Sequence, residues 1–184
     1  MRKVVAWLFI SLDGVVEAPN EWQFDVFDAD MGANVDALSA EEDAILFGRV
    51  TYQAFASFWP TAPDDPFAGH INNTPKYVVS TTLDKVEWGN WEKPTLIKDN
   101  LAKEITRLKQ QPGKNIGVSG SPTLVRSLLR DDLLDELTLM VHPVIVGKGK
   151  RLFENSGELK KLKLVDSKTT GTGVVILTYQ PDRK

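Results

Sequence analysis

The chain contains no cysteine, no apolar run long enough to cross a bilayer, no low-complexity tract or internal repeat, and no surplus of positive charge. Each absence closes off a class of function. Without thiols there is no disulfide framework, no thiolate nucleophile and no Cys-based zinc site, which fits a reducing compartment, and the cytoplasm is the expected location. With 22 Lys and Arg against 25 Asp and Glu, the formal charge is -3 and the pI about 5.5. No basic field is available to collect a phosphodiester backbone, so nucleic acid is not an expected partner. The only two histidines, His70 and His142, stand far apart with no His-x-Glu or Cys motif beside them. That excludes a zinc deaminase centre, and no metal site is expected. The first apolar run, Val4 to Ile10, is short and is followed by the acidic Asp13 and Glu17, so it reads as a buried strand rather than a secretory signal, and no membrane association is expected.

What is present is ordinary soluble-protein material, 42% hydrophobic and 26% charged over 184 residues. That is enough for one packed core, and no Pro/Gly/Ser-rich linker divides it, so residues 1–184 are expected to form a single domain. Val4 to Ile10, Ala44 to Phe47, Lys76 to Ser80, Thr95 to Ile97 and Ile116 to Val118 are short apolar segments suited to strands covered on both faces. Between them lie helical signals. A short helix is expected over Asn34 to Ala40 and another from about Thr51. Leu101, Ile105 and Leu108 recur at i, i+4 and i+7, with Asp99 or Asn100 to cap and Pro112-Gly113 to stop. Ser121-Pro122 supplies an N-cap and a first-turn proline for a helix whose buried stripe is Leu124, Val125, Leu128 and Leu129. Leu137 to Ile145 reads as a strand that bends at Pro143. Lys163 to Asp166 and Val174 to Tyr179 read as an antiparallel hairpin across Thr170-Gly171-Thr172-Gly173. The pattern is alternating β/α with an antiparallel end.

Three polar or Gly-rich elements follow apolar strands: Gly48-Arg49-Val50-Thr51, Ser80-Thr81-Thr82 and Ser119-Gly120-Ser121. Ligands of open α/β sheets collect at the carboxyl ends of strands, so the three are expected to line one crevice. Gly120 before a Ser-capped helix offers free amides and a positive dipole end to an anion such as a pyrophosphate. Arg49 adds a fixed cation, unless it only makes a surface ion pair.

These segments carry a resemblance. Leu46 to Tyr52 is similar to the strand–Gly–Arg–x–Thr–helix element of dihydrofolate reductases, and Tyr77 to Thr81 resembles the Ser/Thr pair beside the adenosine ribose in that superfamily. Gly117 to Leu124, Ser127-Leu128-Leu129, Leu134 to Leu137, Pro143-Val144-Ile145, Gly147-Lys148-Gly149 and Leu152-Phe153 look like the signature of the reductase domain of riboflavin biosynthesis. The resemblance spans Val4 to Tyr179. It implies an α/β, dihydrofolate-reductase-like three-layer fold with a mostly parallel central sheet and an antiparallel C-terminal hairpin. It also implies bound NADPH, held by Gly48, Arg49, Thr51, Ser80, Thr81, Ser119, Gly120, Ser121 and Thr123, hydride transfer to a small pterin- or pyrimidine-like ring, and a homodimer. Val141 to Val146 is the expected dimer contact. Ser119 departs from the paired glycines usual at that point, which bears on how closely a pyrophosphate approaches.

Asp13, at the end of the first strand where the superfamily carries a loop over the nicotinamide, is the candidate catalytic carboxylate; otherwise it is a turn residue before Gly14. Folate reductases carry a carboxylate on the first helix, and Asp25, Asp28, Asp30 and Asp36 offer no spacing that selects one. Trp22, Phe24, Trp59 and Phe67 either stack on a flat substrate or belong to the core. His142 reads as a structural histidine and Lys160-Lys161-Leu162-Lys163 as a solvated strand entry. The alternative to a reductase is a non-enzymatic dimeric ligand-binding protein on the same fold.

Overall fold

The computed structural model describes residues 1–154 and 159–183. Its elements in chain order are β1 (Val4–Ser11), α1 (Ala29–Ala40), β2 (Glu42–Gly48), α2 (Arg49–Ala56), α3 (Pro66–Asn73), β3 (Lys76–Val79), β4 (Thr95–Ile97), α4 (Leu101–Gln110), β5 (Asn115–Ser119), α5 (Pro122–Arg130), β6 (Glu136–His142), β7 (Leu162–Thr169) and β8 (Val175–Pro181). The eight strands form one sheet in the order β4-β3-β2-β5-β1-β6-β8-β7. Every pair from β4 through β6 is parallel, whereas β8 runs antiparallel to both β6 and β7. This is the expected mostly parallel sheet with an antiparallel end.

Alternation along the strands decides which helices cover which face. Val4, Ala6, Leu8 and Ile10 of β1, Ala44 and Leu46 of β2, and Ile116 and Val118 of β5 pack with Ile105 and Leu108 of α4 and the Leu124, Val125, Leu128 and Leu129 stripe of α5. The intervening residues face the other layer. Trp7 and Met140 meet Met31 and Val35 of α1, while Ile45, Phe47 and Val78 meet Tyr52 of α2 and Ile71 of α3. Strands buried on both faces need apolar residues throughout, which is why β1 reads as VVAWLFI.

Several boundaries depart from expectation. α1 begins at Ala29 because Asp28 caps it, its carboxylate accepting from the Met31 amide at 2.9 Å. α3 carries no long periodic stripe, but Asp65 accepts from the Ala68 amide at 2.9 Å and Pro66 takes the first turn. β6 stops at His142 instead of bending at Pro143: proline has no amide to donate, and the chain turns there, with Val144 N donating back to the His142 carbonyl.

Candidate functional site

Because β3, β2, β5 and β1 are adjacent and parallel, their carboxyl ends share one edge of the sheet. Ser80, Gly48, Ser119 and Ser11 therefore line up along that edge. The chain leaves β5 through two successive residues in the left-handed region, Gly120 (φ 57°) and Ser121 (φ 55°). Glycine adopts this freely, but serine is strained there unless neighbours hold it. Ser121 is held from both sides: its hydroxyl accepts from the Gly48 amide at 2.8 Å, and its own amide donates to Thr51 Oγ1 at 3.0 Å. A Cβ on Gly120 would sit 3.2 Å from Thr51 Cγ2 and 3.3 Å from Oγ1, and one on Gly48 would meet Ser121 at 3.4 Å. The Gly–Arg–x–Thr and Ser–Gly–Ser elements are thus one interlocked unit.

This corrects the expected role of Ser121. It occupies the N-cap position of α5, yet its side chain makes no cap hydrogen bond, being spent on Gly48; α2 likewise starts at Gly48 with no side-chain cap. Two helix starts without side-chain caps therefore stand at the same sheet edge, each with a positive dipole end. Ser119 keeps ordinary backbone angles, so only Gly120 of the pair requires glycine.

The remaining predicted positions divide. Arg49 is exposed at the start of α2, with a contact to Gln53 Oε1 at 3.4 Å. Thr81 and Thr123 are exposed, and Thr123 Oγ1 accepts from Arg126 at 3.3 Å. The buried Ser80 hydroxyl accepts from the Thr82 and Leu83 amides at 3.2 Å each, shaping the turn after β3. Gln53 and Tyr52 line a shallow hollow with Leu83, Lys85 and Glu87 on the outer side of α2, continuous with Arg49 through Gln53.

Asp13 follows β1 at the same sheet edge, but not as a free carboxylate. Its oxygens accept from the Ser11 hydroxyl at 2.6 Å and the Val146 and Gly147 amides at 3.1 and 2.8 Å, with Arg151 3.5 Å away. The Ser11 hydroxyl first, and then those amides, hold its carboxyl far below the ordinary range. Such a group is ionised at neutral pH and has no proton to give. The Gly147-Lys148-Gly149 turn and Asp13 together tie β1's exit to the segment after β6. Leu12 N donates to Val144 O, Val16 N to Lys150 O, Leu152 N to Gly14 O and Lys150 N to Glu17 Oε2, all between 2.9 and 3.0 Å. Of the carboxylates near α1, Asp28 is the cap of that helix and also accepts from Thr172 at 3.0 Å, while Asp25, Asp30 and Asp36 are exposed.

Under residues 14–28 the other face of the sheet is aromatic. Phe9 meets Trp7, Phe27 and His142 edge-on at 6.1, 6.2 and 5.6 Å, and Trp22 meets His142 at 5.3 Å. Trp59 and Phe67 pack at 5.0 Å, and Phe67 reaches Trp7; Phe24 is exposed. Trp22 is thus the one of the four candidate stacking aromatics set against the strand ends. Deeper, Trp7 Nε1 donates to Glu42 Oε1 at 2.8 Å, and burial pushes the Glu42 carboxyl up. His70 Nε2 stands 3.7 Å from Glu42 Oε2. Glu42 carries no sequence signal, since a lone acid before an apolar strand usually faces water. Among the described residues no cluster of His, Asp and Glu is arranged to hold a metal ion, and no helix is long and apolar enough to cross a membrane.

Residues 2–176 match the RibD C-terminal domain. The chain belongs to that family. YyaP of Bacillus subtilis (strain 168), an uncharacterized protein, is 32% identical over 183 residues, covering 97% of this chain and 94% of its own. A putative riboflavin biosynthesis protein from Shewanella sp. PV-4 superposes with a TM-score of 0.81 at 23% identity, over 98% and 99% of the two chains. A bifunctional diaminohydroxyphosphoribosylaminopyrimidine deaminase/5-amino-6-(5-phosphoribosylamino)uracil reductase from Thermotoga maritima superposes with a TM-score of 0.68 at 14% identity; this chain covers 56% of its length. These likenesses bear out the dihydrofolate-reductase-like fold. Within this RibD C-terminal domain, the interlocked helix starts lie at the carboxyl-terminal edge of the parallel strands.

Proposed function

We propose that this protein is an NADPH-dependent reductase acting on a small pterin- or pyrimidine-like ring. The observation that carries the reading is the joining of α2 and α5 through Gly48, Thr51 and Ser121, which sets two helix starts without side-chain caps together at one sheet edge, beside the cationic Arg49. The fit to a dinucleotide rests on two features: Gly120 holds no Cβ where one would crowd Thr51, and helix-start amides suit a pyrophosphate. NADPH supplies the hydride when bound. The chain's part is to bind and orient it: amides of the α2 and α5 starts at the phosphates, Arg49 and Thr81 at the adenosine end, and residues 14–28 excluding water from the ring.

Titration of NADPH and NADH into the wild-type chain and Arg49→Ala tests the reading. A charge-assisted contact to phosphate is worth about 1.5–3 kcal/mol, so Arg49→Ala weakens NADPH about 10- to 150-fold. If Arg49 meets the 2′-phosphate, NADH is spared; if it meets the pyrophosphate, both suffer alike. Unchanged titrations of both remove Arg49 from the site, and no binding at millimolar nucleotide removes the reading.

The state of Asp13 favours a second reading, a dimeric ligand-binding protein that does not reduce. Its carboxylate is consumed by the loop tie, and the acids near α1 are exposed or capping. Single-turnover oxidation of bound NADPH by a pterin separates the two. We also infer a homodimer through the apolar side chains exposed beyond β6 and on β7, with Ile145 78% exposed and Leu164 and Val165 nearly half so. Sedimentation equilibrium checks it, and a monomer at tens of micromolar refutes it.

A further inference from the structure

His142 ends β6 beside Ser11, the last residue of β1, so it stands at the same sheet edge as Gly48, Ser80 and Ser119. Its ring lies on the face covered by residues 14–28 and by α1, between the edges of Phe9 at 5.6 Å and Trp22 at 5.3 Å, at 88° and 84°. Nδ1 is 2.8 Å from the Met140 carbonyl. A carbonyl only accepts, so Nδ1 carries the proton, and in the neutral ring Nε2 is an acceptor. Burial favours that neutral ring, against the opposing pull of the Met140 and Ile10 carbonyls. The residue is 0% exposed, and Nε2 has no hydrogen-bond partner among the described residues. A buried acceptor left unpaired is costly, and one that persists at a strand end of the parallel sheet calls for a specific reason.

Trp22, whose ring meets that of His142, is anchored within its own segment. Trp22 is partly exposed, and its indole N–H donates to Glu17 O of the same segment at 3.0 Å rather than to the sheet. The segment turns through a left-handed Ala18 (φ 45°) and two short 3-10 turns. The next residue, Gln23, has a second buried acceptor without a partner, Oε1. The indole is a flat bicycle packed against the imidazole that carries the unpaired acceptor.

We propose that His142 Nε2 accepts a hydrogen bond from an N–H donor on a flat bicyclic heterocycle that enters where the Trp22 indole lies, making His142 a specificity-determining residue. Calling that heterocycle the substrate rests on the reductase reading. The acceptor and its cover are read from this chain alone.

Lumazine and 1,3-dimethyllumazine test the proposal, being flat bicycles that differ in whether two ring nitrogens carry hydrogen or methyl. Each is titrated by tryptophan fluorescence into the wild-type chain, His142→Phe and His142→Gln. The wild type is expected to prefer lumazine by roughly tenfold or more, as for other polar groups left unpaired by the wrong ligand. The preference disappears in His142→Phe and returns in part in His142→Gln, which restores an acceptor. Should the variants fail to fold, ¹⁵N-histidine NMR of the wild type decides: the Nε2 resonance moves on adding lumazine and stays put with the dimethyl compound. No lumazine binding at millimolar concentration, equal affinity for both compounds, a preference that survives in His142→Phe, or an unmoved Nε2 resonance at saturation overturns it. NADPH titration of the same samples separates the two ideas. Nucleotide binding without donor preference sinks only the His142 assignment, and donor preference without nucleotide binding sinks only the reductase reading.

Discussion

Replacing Gly120 by alanine tests whether the interlock between the two helix starts is what shapes the crevice. Gly120 sits at φ 57°, and an alanine forced there costs about 1–2 kcal/mol. Its Cβ would also press on Thr51 Cγ2 at 3.2 Å and Oγ1 at 3.3 Å, tighter than ordinary contact. Relief by moving Thr51 stretches the 3.0 Å hydrogen bond from the Ser121 amide, itself worth about 1 kcal/mol. The sum is about 2–3 kcal/mol, which for a chain of this size lowers Tm by about 4–12 °C. Differential scanning calorimetry measures it. Gly120→Ala/Thr51→Ser keeps the hydroxyl and removes the nearest methyl, so it recovers part of the loss relative to Gly120→Ala. NADPH affinity falls with the interlock in the single variant. An unchanged Tm refutes the strained turn, strict additivity with Thr51→Ser refutes the steric contact, and a lowered Tm with unchanged NADPH affinity refutes the link between interlock and nucleotide.

Asp13 is held ionised in the folded chain but binds a proton near pH 4 when unfolded, so its stabilisation is complete above about pH 5 and drains as pH falls below about 4. Urea midpoints at pH 7 and pH 3 are expected to fall less steeply with acid in Asp13→Asn, and equal slopes refute the tie. The buried Lys76 Nζ donates to the Ile71, Asn72 and Thr74 carbonyls at 2.9, 2.9 and 2.7 Å, closing the end of α3. Lys76→Met leaves those acceptors unpaired and costs about 2–4 kcal/mol by urea denaturation. The Glu42 carboxyl lies directly over Gly117, where any Cβ would collide with it. Gly117→Ala is expected to cost about 3 kcal/mol, and Gly117→Ala/Glu42→Ala to be more stable than the two single losses summed, because the second change makes room.

Strands were legible where they are buried on both faces, because continuous apolar runs such as VVAWLFI leave little alternative. α4 and α5 were legible from stripe and stop signals. α3 was not, since its existence depends on Asp65 and Pro66 at its start and on Lys76 closing its end rather than on periodicity. At the site, the three motif segments do meet along one edge, but how they meet was hidden. Nothing in Ser121-Pro122 reveals that the serine hydroxyl turns away from its own helix to the Gly48 amide, 73 residues earlier. Asp13 was visible as a position and not as a role, because its partners, the amides of Val146 and Gly147, are backbone groups from the far end of the chain. Glu42 and the bare nitrogen of His142 gave no signal at all, since burial in the folded state is what singles them out.

The cross-chain ties of residues 11–17 to residues 144–152 have a consequence for how this molecule can vary. Asp13 and Glu17 each grip main-chain amides of the Gly147-to-Lys150 turn, and Gly149 leaves room for Glu17 at 3.1 Å, so the two stretches form a single buckle although some 130 positions of sequence separate them. A lengthened or stiffened turn would pull on the cover through main-chain links that no side-chain exchange nearby can replace. Relatives that reshape one half of the buckle must reshape the other with it.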